Sequence, residues 1–372
     1  MTSANPARRK PILGGNPRAR WLLPLLIVLL VGMSLYRLAD PSYTDTIELN
    51  GVALGTTWLV KVVAPEADRQ ERDRLYTAIS EQLDLIDGRM STWDPASELS
   101  RFNRSRKTTP FAMSKSTLDV FDLAREVSEQ TGGAFDVTVG PLVQTWGFGA
   151  GAEPRKTDPR DEEISLLRER VGYTQLDTDR QAGTLRKNHA ATEADLSAIA
   201  KGYAVDCIAD ALETLGYRDF LVEVGGELAA RGSRSGDGPW RVAIEQPDAD
   251  GRSIFAIVEL KNTGMATSGD YRSYTIRDGV RLSHLIDPRS MRPIAHNLAS
   301  VTVIDPNSAR ADALATGLGV LGPEAGLDLA EQEEIAAYFI VRGPGDSLRG
   351  FPTKRFAPLL AARQPDLEND LR

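Results

Sequence analysis

The chain has 372 residues, of which 41% are hydrophobic and 26% charged, and a net charge of −8. That length fills two ordinary domains or one large one with an ample core, and the composition excludes a disordered chain. The first 20 residues carry five basic side chains (Arg8, Arg9, Lys10, Arg18 and Arg20) and no acidic one, so the rest is near −13; a body this acidic disfavours nucleic acid as a partner, because phosphate backbones demand a basic face.

The basic stretch runs into an apolar one at 21–36, about 16 to 19 residues long depending on where its end is placed. Positive charge before an apolar run keeps that end in the cytoplasm and sends the remainder across. The length is near the lower limit for spanning a bilayer. Residues 1–20 therefore read as a basic cytoplasmic segment, 21–38 as a signal anchor and 39–46 as a polar linker. A cleaved signal peptide is the competing reading, but a cut after Ala39 would leave Arg37 where a small residue is wanted. No cysteine follows the run to carry a lipid, and Cys207, the one cysteine of the chain, excludes an internal disulfide. The three histidines, His189, His284 and His296, lack zinc-ligand spacing.

Beyond the linker, 47–63 alternates around Gly55 and predicts strand, turn and strand. Leu75, Ile79, Leu83 and Ile86 recur at helical spacing and predict a helix over 69–86. A second helix is predicted over 116–131, stopped by Gly132 and Gly133, and a short one over 164–171. The stretch 150–160 reads as an exposed loop, and 199–215 as a long helix ended by Gly216. Strands are predicted over 220–224, 240–245, 254–260, 271–277, 300–304 and 335–341, with a helix over 309–321 capped by Ser308. Helices and hairpin-like strands are intermixed over 47–357. That predicts an α+β fold with a mixed, mostly antiparallel sheet and packed helices, preceded by the N-terminal membrane anchor and followed by a loose tail at 358–372.

Several segments carry chemistry beside a plain structural reading. Asp195-Leu-Ser-Ala-Ile-Ala-Lys201-Gly202 opens the long helix, with Ser197 as an N-cap candidate. A helix start offers unpaired N–H groups and a positive dipole end to phosphate, and Lys201 one turn in adds a full charge. The plain alternative is a capped helix with an exposed lysine. Asp312 and Thr316 lie one turn apart on a helix, a pair of hard oxygen donors suited to Mg²⁺, or else a surface aspartate and a back-bonded threonine. In Gly132-Gly-Ala-Phe-Asp-Val-Thr-Val-Gly140, a short strand is predicted to begin with Phe135 and Asp136 at its mouth, where a flat ligand would stack and find a polar edge. Val224-Gly-Gly-Glu227 and Ala266-Thr-Ser-Gly-Asp-Tyr271 read as small-residue turns. His284, in Ser283-His-Leu-Ile-Asp-Pro288, is a proton carrier by type or a residue holding a turn. Met90 and Trp93, in Met-Ser-Thr-Trp, would cover a ring system or simply pack.

The order of these motifs is more telling than any one of them. Met-Ser-Thr-Trp, Ser-Arg-Phe-Asn, Gly-Ala-Phe-Asp-Val-Thr-Val-Gly-Pro, Asp-Leu-Ser-Ala-Ile-Ala-Lys-Gly, Val-Gly-Gly-Glu, Thr-Ser-Gly-Asp-Tyr, His-Leu-Ile-Asp-Pro and Ala-Asp-Ala-Leu-Ala-Thr follow one another over 47–345. This series resembles the ApbE family of FAD:protein FMN transferases. The resemblance implies that Met90, Ala134, Phe135, Asp136, Asp195 and Lys201 contact FAD, and that Ile286 lines the flavin pocket. It implies that Asp312 and Thr316 hold Mg²⁺ with the backbone carbonyl of Ala198. Asn103 matches a position linked to the balance between FMN transfer and FAD hydrolysis. Trp93 stands where the family often has tyrosine, and the lipid-bearing cysteine of many members is absent. The implied reaction is attack by a Ser or Thr hydroxyl of an acceptor protein on the FMN phosphorus of FAD, with AMP leaving and His284, or Asp312, taking the proton. By the same analogy the acceptor carries a Ser/Thr-Gly-Ala-Ser/Thr-like sequence, absent from this chain, and belongs to a membrane electron-transfer complex. The protein is then expected in the bacterial inner membrane, single-pass, with its catalytic domain in the periplasm. Two other functions share the motifs: a Mg²⁺-dependent FAD pyrophosphatase and a non-catalytic flavin-binding module.

Overall fold

Eight strands pair side by side in the order in which they occur in the chain. They are β1 (Thr46–Ala53), β2 (Thr56–Val63), β3 (Phe220–Val224), β4 (Glu227–Arg231), β5 (Thr263–Gly269), β6 (Leu298–Asp305), β7 (Ala336–Arg342) and β8 (Leu348–Pro352). Every pairing among them is antiparallel. This computed structural model describes residues 46–64, 68–148, 157–234, 238–247, 253–269, 274–277 and 280–361. The predicted cytoplasmic segment, the anchor and nearly all of the linker lie outside the described residues, as do most of the loop at 150–160, the start of the strand at 271–277 and the tail beyond Ala361. Among the described residues no helix is long and apolar enough to cross a membrane.

The sheet has two covered faces, and strand alternation sorts its side chains between them. Along β7, Ala337 and Phe339 join the main core beneath the helices, while Tyr338 and Ile340 join a smaller core on the other side. Ala266 and Met265 divide in the same way on β5, and Val303 and Ile304 on β6. The smaller core is closed by the hairpin Trp240–Glu245 and Ile254–Leu260, through Trp240, Ile244, Val258 and Leu260. Phe356 packs there too, and Ala361 donates its N–H to the Ile257 carbonyl at 2.9 Å, so the chain stays docked past the point where a loose tail is expected.

The helices are α1 (Arg69–Met90), α2 (Glu98–Arg104), α3 (Lys115–Gln130), α4 (Gly140–Trp146), α5 (Asp161–Ser165), α6 (Ala200–Thr214), α7 (Ser308–Leu321) and α8 (Pro323–Gln332). Helix α1 starts where the Asp68 carboxylate accepts the Glu71 N–H at 2.8 Å, and buries the predicted stripe from Leu75 to Ile86. Five expectations change. The short helix predicted over 164–171 spans Asp161–Ser165, and turns follow it. The cap of α7 is Asn307, whose side chain accepts the Arg310 N–H at 2.7 Å; Ser308 lies inside the helix and donates to the Leu228 carbonyl at 3.1 Å. Ser197 does not cap α6: its hydroxyl donates to Asp195, the helix begins at Ala200, and Ile199 holds the cap position. No strand follows Phe135; a loop with its own hydrogen bonds leads into α4. The predicted turn at 266–269 is the end of strand β5 in the middle of the sheet. Gly264 is required in this strand: a Cβ there would lie 2.4 Å from Ser308 Oγ, since α7 packs directly on the strand.

Candidate active site

The close crossing of α6 and α7 assembles the site. A Cβ on Gly202 would lie 2.3 Å from the Ser308 carbonyl oxygen and 2.7 Å from Ala309 Cα. Only glycine permits this approach. The α6 residue Asp206 fastens it, its carboxylate accepting the first N–H groups of α7, from Ser308 and Ala309, both at 2.9 Å. Burial raises the Asp206 pKa, and those two hydrogen bonds oppose the rise. At the crossing, Gly202 donates its N–H to Asp312 Oδ2 at 3.1 Å. Lys201 Nζ stands 3.7 Å from the same oxygen and 2.7 Å from Glu227 Oε1.

These groups share a cavity of about 390 Å³ whose lining includes every residue expected at the site except Met90 and Asn103. Ala134, Phe135 and Asp136 come from the loop after α3, Asp195 and Ala198 from the entry to α6, His284 and Ile286 from the segment before β6, and Asp312 and Thr316 from α7. Asp312 is buried, not a surface aspartate. Burial raises its carboxyl pKa, while Lys201 and the Gly202 N–H pull it down. For Lys201, burial lowers the ammonium pKa, but Asp312 and Glu227 outweigh it and the net shift is upward, so the lysine is cationic. Burial, then the charge of Asp312, push the Glu227 carboxyl up to about 8 against the pull of Lys201.

The remaining expected residues take more structural places. Asp136 lines the cavity, but its Oδ1 accepts from Thr138 N at 2.7 Å and Thr138 Oγ1 at 2.6 Å, and its Oδ2 from Tyr173 N at 2.7 Å. Both oxygens hold the loop, and burial raises its pKa against these bonds. Asp195 accepts from the Ser197 N–H and hydroxyl through Oδ1, and its own N–H reaches the Val137 carbonyl at 2.7 Å. Met90 is buried in the main core and lines neither this cavity nor its neighbour. That neighbour, of about 540 Å³, adjoins the first through Asp195 and Val143 and is bordered by Trp93, Asn103, Arg104 and Arg106. Trp93 is 75% exposed, so it offers a face to a ligand or partner and is not part of the core. Asn103 pairs with Ala194 through both its amide groups, each at 2.8 Å. Behind it, the fully buried Lys187 donates to the carbonyls of Phe102 at 3.1 Å, Ser105 at 3.0 Å and Thr192 at 2.9 Å. That lysine ties the end of α2 to the segment leading into Asp195.

Glu227 is the site residue that sequence reasoning missed. Its motif was read as a turn, which it is: Gly225 and Gly226 have φ of +62° and +104° and join β3 to β4. The available signal was an acid directly after a glycine pair and ahead of the apolar strand Leu228–Ala230.

A cavity with an ammonium and hard oxygen donors beside Phe135, Ala134 and Ile286 suits a ligand that is part phosphate and part flat ring, the make-up of a nucleotide. The ApbE family profile matches residues 54–339, and the chain belongs to that family. It is 40% identical to the FAD:protein FMN transferase of Vibrio cholerae serotype O1, over 92% of this chain and 99% of that protein. The FAD:protein FMN transferase of Escherichia coli K12 is 38% identical, over 86% of this chain and 91% of its own length. Among solved structures, the flavin transferase ApbE from Vibrio cholerae superposes with a TM-score of 0.76 at 42% identity, covering 85% of this chain and 99% of that one. The apo flavinyl transferase ApbE of Pseudomonas stutzeri gives 0.77 at 39% identity, covering 86% and 98%.

Proposed function

We propose that the chain moves FMN from FAD to a hydroxyl of another protein and releases AMP, with Mg²⁺ at Asp312, Thr316 and the Ala198 carbonyl. It is an FAD:protein FMN transferase, the activity for which its relatives at 38–40% identity are named. The observation that carries this reading is the convergence of Lys201, Asp312 and Thr316 on one cavity. The donor set fits the metal. Asp312 and Thr316 are hard oxygen ligands one turn apart, and the Gly202 and Lys201 contacts are made at Asp312 Oδ2. Mg²⁺ commonly uses one or two carboxylates and completes its shell with phosphate and water. Bound there, it supplies charge neutralisation at the pyrophosphate oxygens.

The chain's own residues do the rest. Lys201 sets a positive charge beside the phosphates where negative charge grows during transfer. Phe135, Ala134 and Ile286 bound the ring system. The acceptor's Ser or Thr oxygen forms a bond to the FMN phosphorus as the bond from that phosphorus to the AMP oxygen breaks, and AMP leaves with the electron pair. His284, on the cavity wall, takes the hydroxyl proton; Asp312 is less suited because its carboxylate is already engaged. Asn103 and Trp93 border the adjoining cavity, from which the acceptor or the rest of FAD is reached.

The basic segment and apolar run at the N-terminus support a single-pass inner-membrane protein with this domain in the periplasm. Its acceptors are then exported flavin-carrying subunits of membrane electron-transfer complexes, bearing a Ser/Thr-Gly-Ala-Ser/Thr-like sequence. The test is the full-length chain in detergent with FAD, Mg²⁺ and such an acceptor. Flavin fluorescence should stay in the acceptor band after denaturing electrophoresis and vanish with EDTA. Free FMN and AMP with no labelled band would make the protein a pyrophosphatase, and bound FAD with neither product a binding module.

A further inference from the structure

Glu227 has no part in the steps above, yet it is a buried acid on the cavity wall, paired with Lys201. Its side chain is 5% exposed. Oε1 receives Lys201 Nζ at 2.7 Å, and Oε2 is buried without a hydrogen-bond partner among the described residues. An unpaired buried oxygen is a cost to the fold, so the residue's placement calls for a return elsewhere.

The turn before it meets the same lysine. A Cβ on Gly225 would lie 3.2 Å from Lys201 Cδ and 2.9 Å from Thr56 Cγ2, and the Gly225 N–H is bonded to the Thr57 carbonyl at 3.0 Å. The backbone of the turn thus lies against the lysine stem while the acid that follows holds its head. A lysine is a point charge on a flexible four-carbon stem, so its aim must come from its surroundings. Asp312, the other acid near Nζ, is farther off at 3.7 Å and is assigned above to the metal.

We infer that Glu227 is the positioning residue of Lys201: with the Gly225 backbone against the stem, it fixes the ammonium on the cavity floor, so that the lysine keeps its aim when Asp312 serves the metal. The inference rests on the proposed function, in which Lys201 faces the phosphates. A short charge-assisted hydrogen bond suits this role, and a charge already in place needs no reorganisation during the reaction.

Full-length wild type, Glu227→Gln, Glu227→Ala, Lys201→Ala and the Lys201→Ala/Glu227→Ala double variant test it. The readouts are kcat and KM for FAD in flavin transfer, with melting curves for each protein. Glutamine keeps an acceptor oxygen for Nζ and should hold kcat within about fivefold, whereas alanine should lower kcat at least about tenfold with KM within about threefold. In the Lys201→Ala background the alanine change should cost roughly nothing further, as a residue acting through another requires. If Glu227→Ala does not fold, Glu227→Met, closer in volume, takes its place. Wild-type kcat in Glu227→Ala, an undiminished loss in the Lys201→Ala background, or a Gln variant as slow as Ala would each overturn the positioning role alone. A wild-type chain that transfers no flavin in the same assay would overturn the functional reading and this inference with it.

Discussion

Replacing Asp312 separates what it does for the fold from what it does for the reaction. Its Oδ2 accepts the Gly202 N–H at 3.1 Å in the crossing of α6 and α7 and faces Lys201 Nζ at 3.7 Å. Alanine removes both contacts and leaves a buried N–H unpaired, at about 1–3 kcal/mol. Asparagine keeps an oxygen for that N–H at nearly the same volume and removes only the charge, so its cost to stability should be about 1 kcal/mol or less. The catalytic cost should run the other way. The proposed Mg²⁺ would lose its one carboxylate ligand, and with it charge stabilisation of several kcal/mol, or roughly 10²–10³ in kcat. Asp312→Asn should therefore melt close to wild type and transfer flavin at least about a hundredfold more slowly. Fluorescence of the acceptor band against time gives the rate, and a melting curve gives the stability. An Asn variant with undiminished Mg²⁺-dependent transfer would refute the metal assignment. One as inactive but grossly unfolded would show that the carboxylate serves the helix crossing first.

Gly202→Ala places a methyl 2.3 Å from the Ser308 carbonyl oxygen, so α6 and α7 must part; denaturant titration should show a loss of about 1–3 kcal/mol or more, with slower transfer because Lys201 and Asp312 ride on the two helices. Asn103→Ala removes both bonds to Ala194 and should cost about 1–3 kcal/mol in the same titration. Lys187 gives a pH signature. Burial lowers its pKa from 10.5 to about 8, so between those values the unfolded chain holds a proton that the folded chain lacks, and its contribution makes stability rise with pH. Unfolding free energies of wild type and Lys187→Met, compared across that window, should diverge with the steeper rise in wild type; parallel curves would refute the shift.

Much of this protein was legible in the chain itself. Helix α1 was set by Leu75, Ile79, Leu83 and Ile86, and the first hairpin by alternation around Gly55, because both elements have one buried and one wet face and so display their period. The motifs around Lys201 and Asp312 were visible because their residue types are costly to place without a use. Strand β5 was not legible as a strand, and the depth at which helix α7 is buried was not legible, because both are covered on all sides. Strand β5, Thr263–Gly269, lies between two cores beneath α7 and carries the small residues of a turn. Helix α7 buries Asp312 along with its leucines, so no polar stripe marks its outer face. Only the tertiary structure decided that Glu227 reaches Lys201, and that Asp136 spends both oxygens on Thr138 and Tyr173. Periodicity records which face of an element meets water; which neighbour a buried charge meets is fixed by how helices cross and strands pair, over separations that no local pattern encodes.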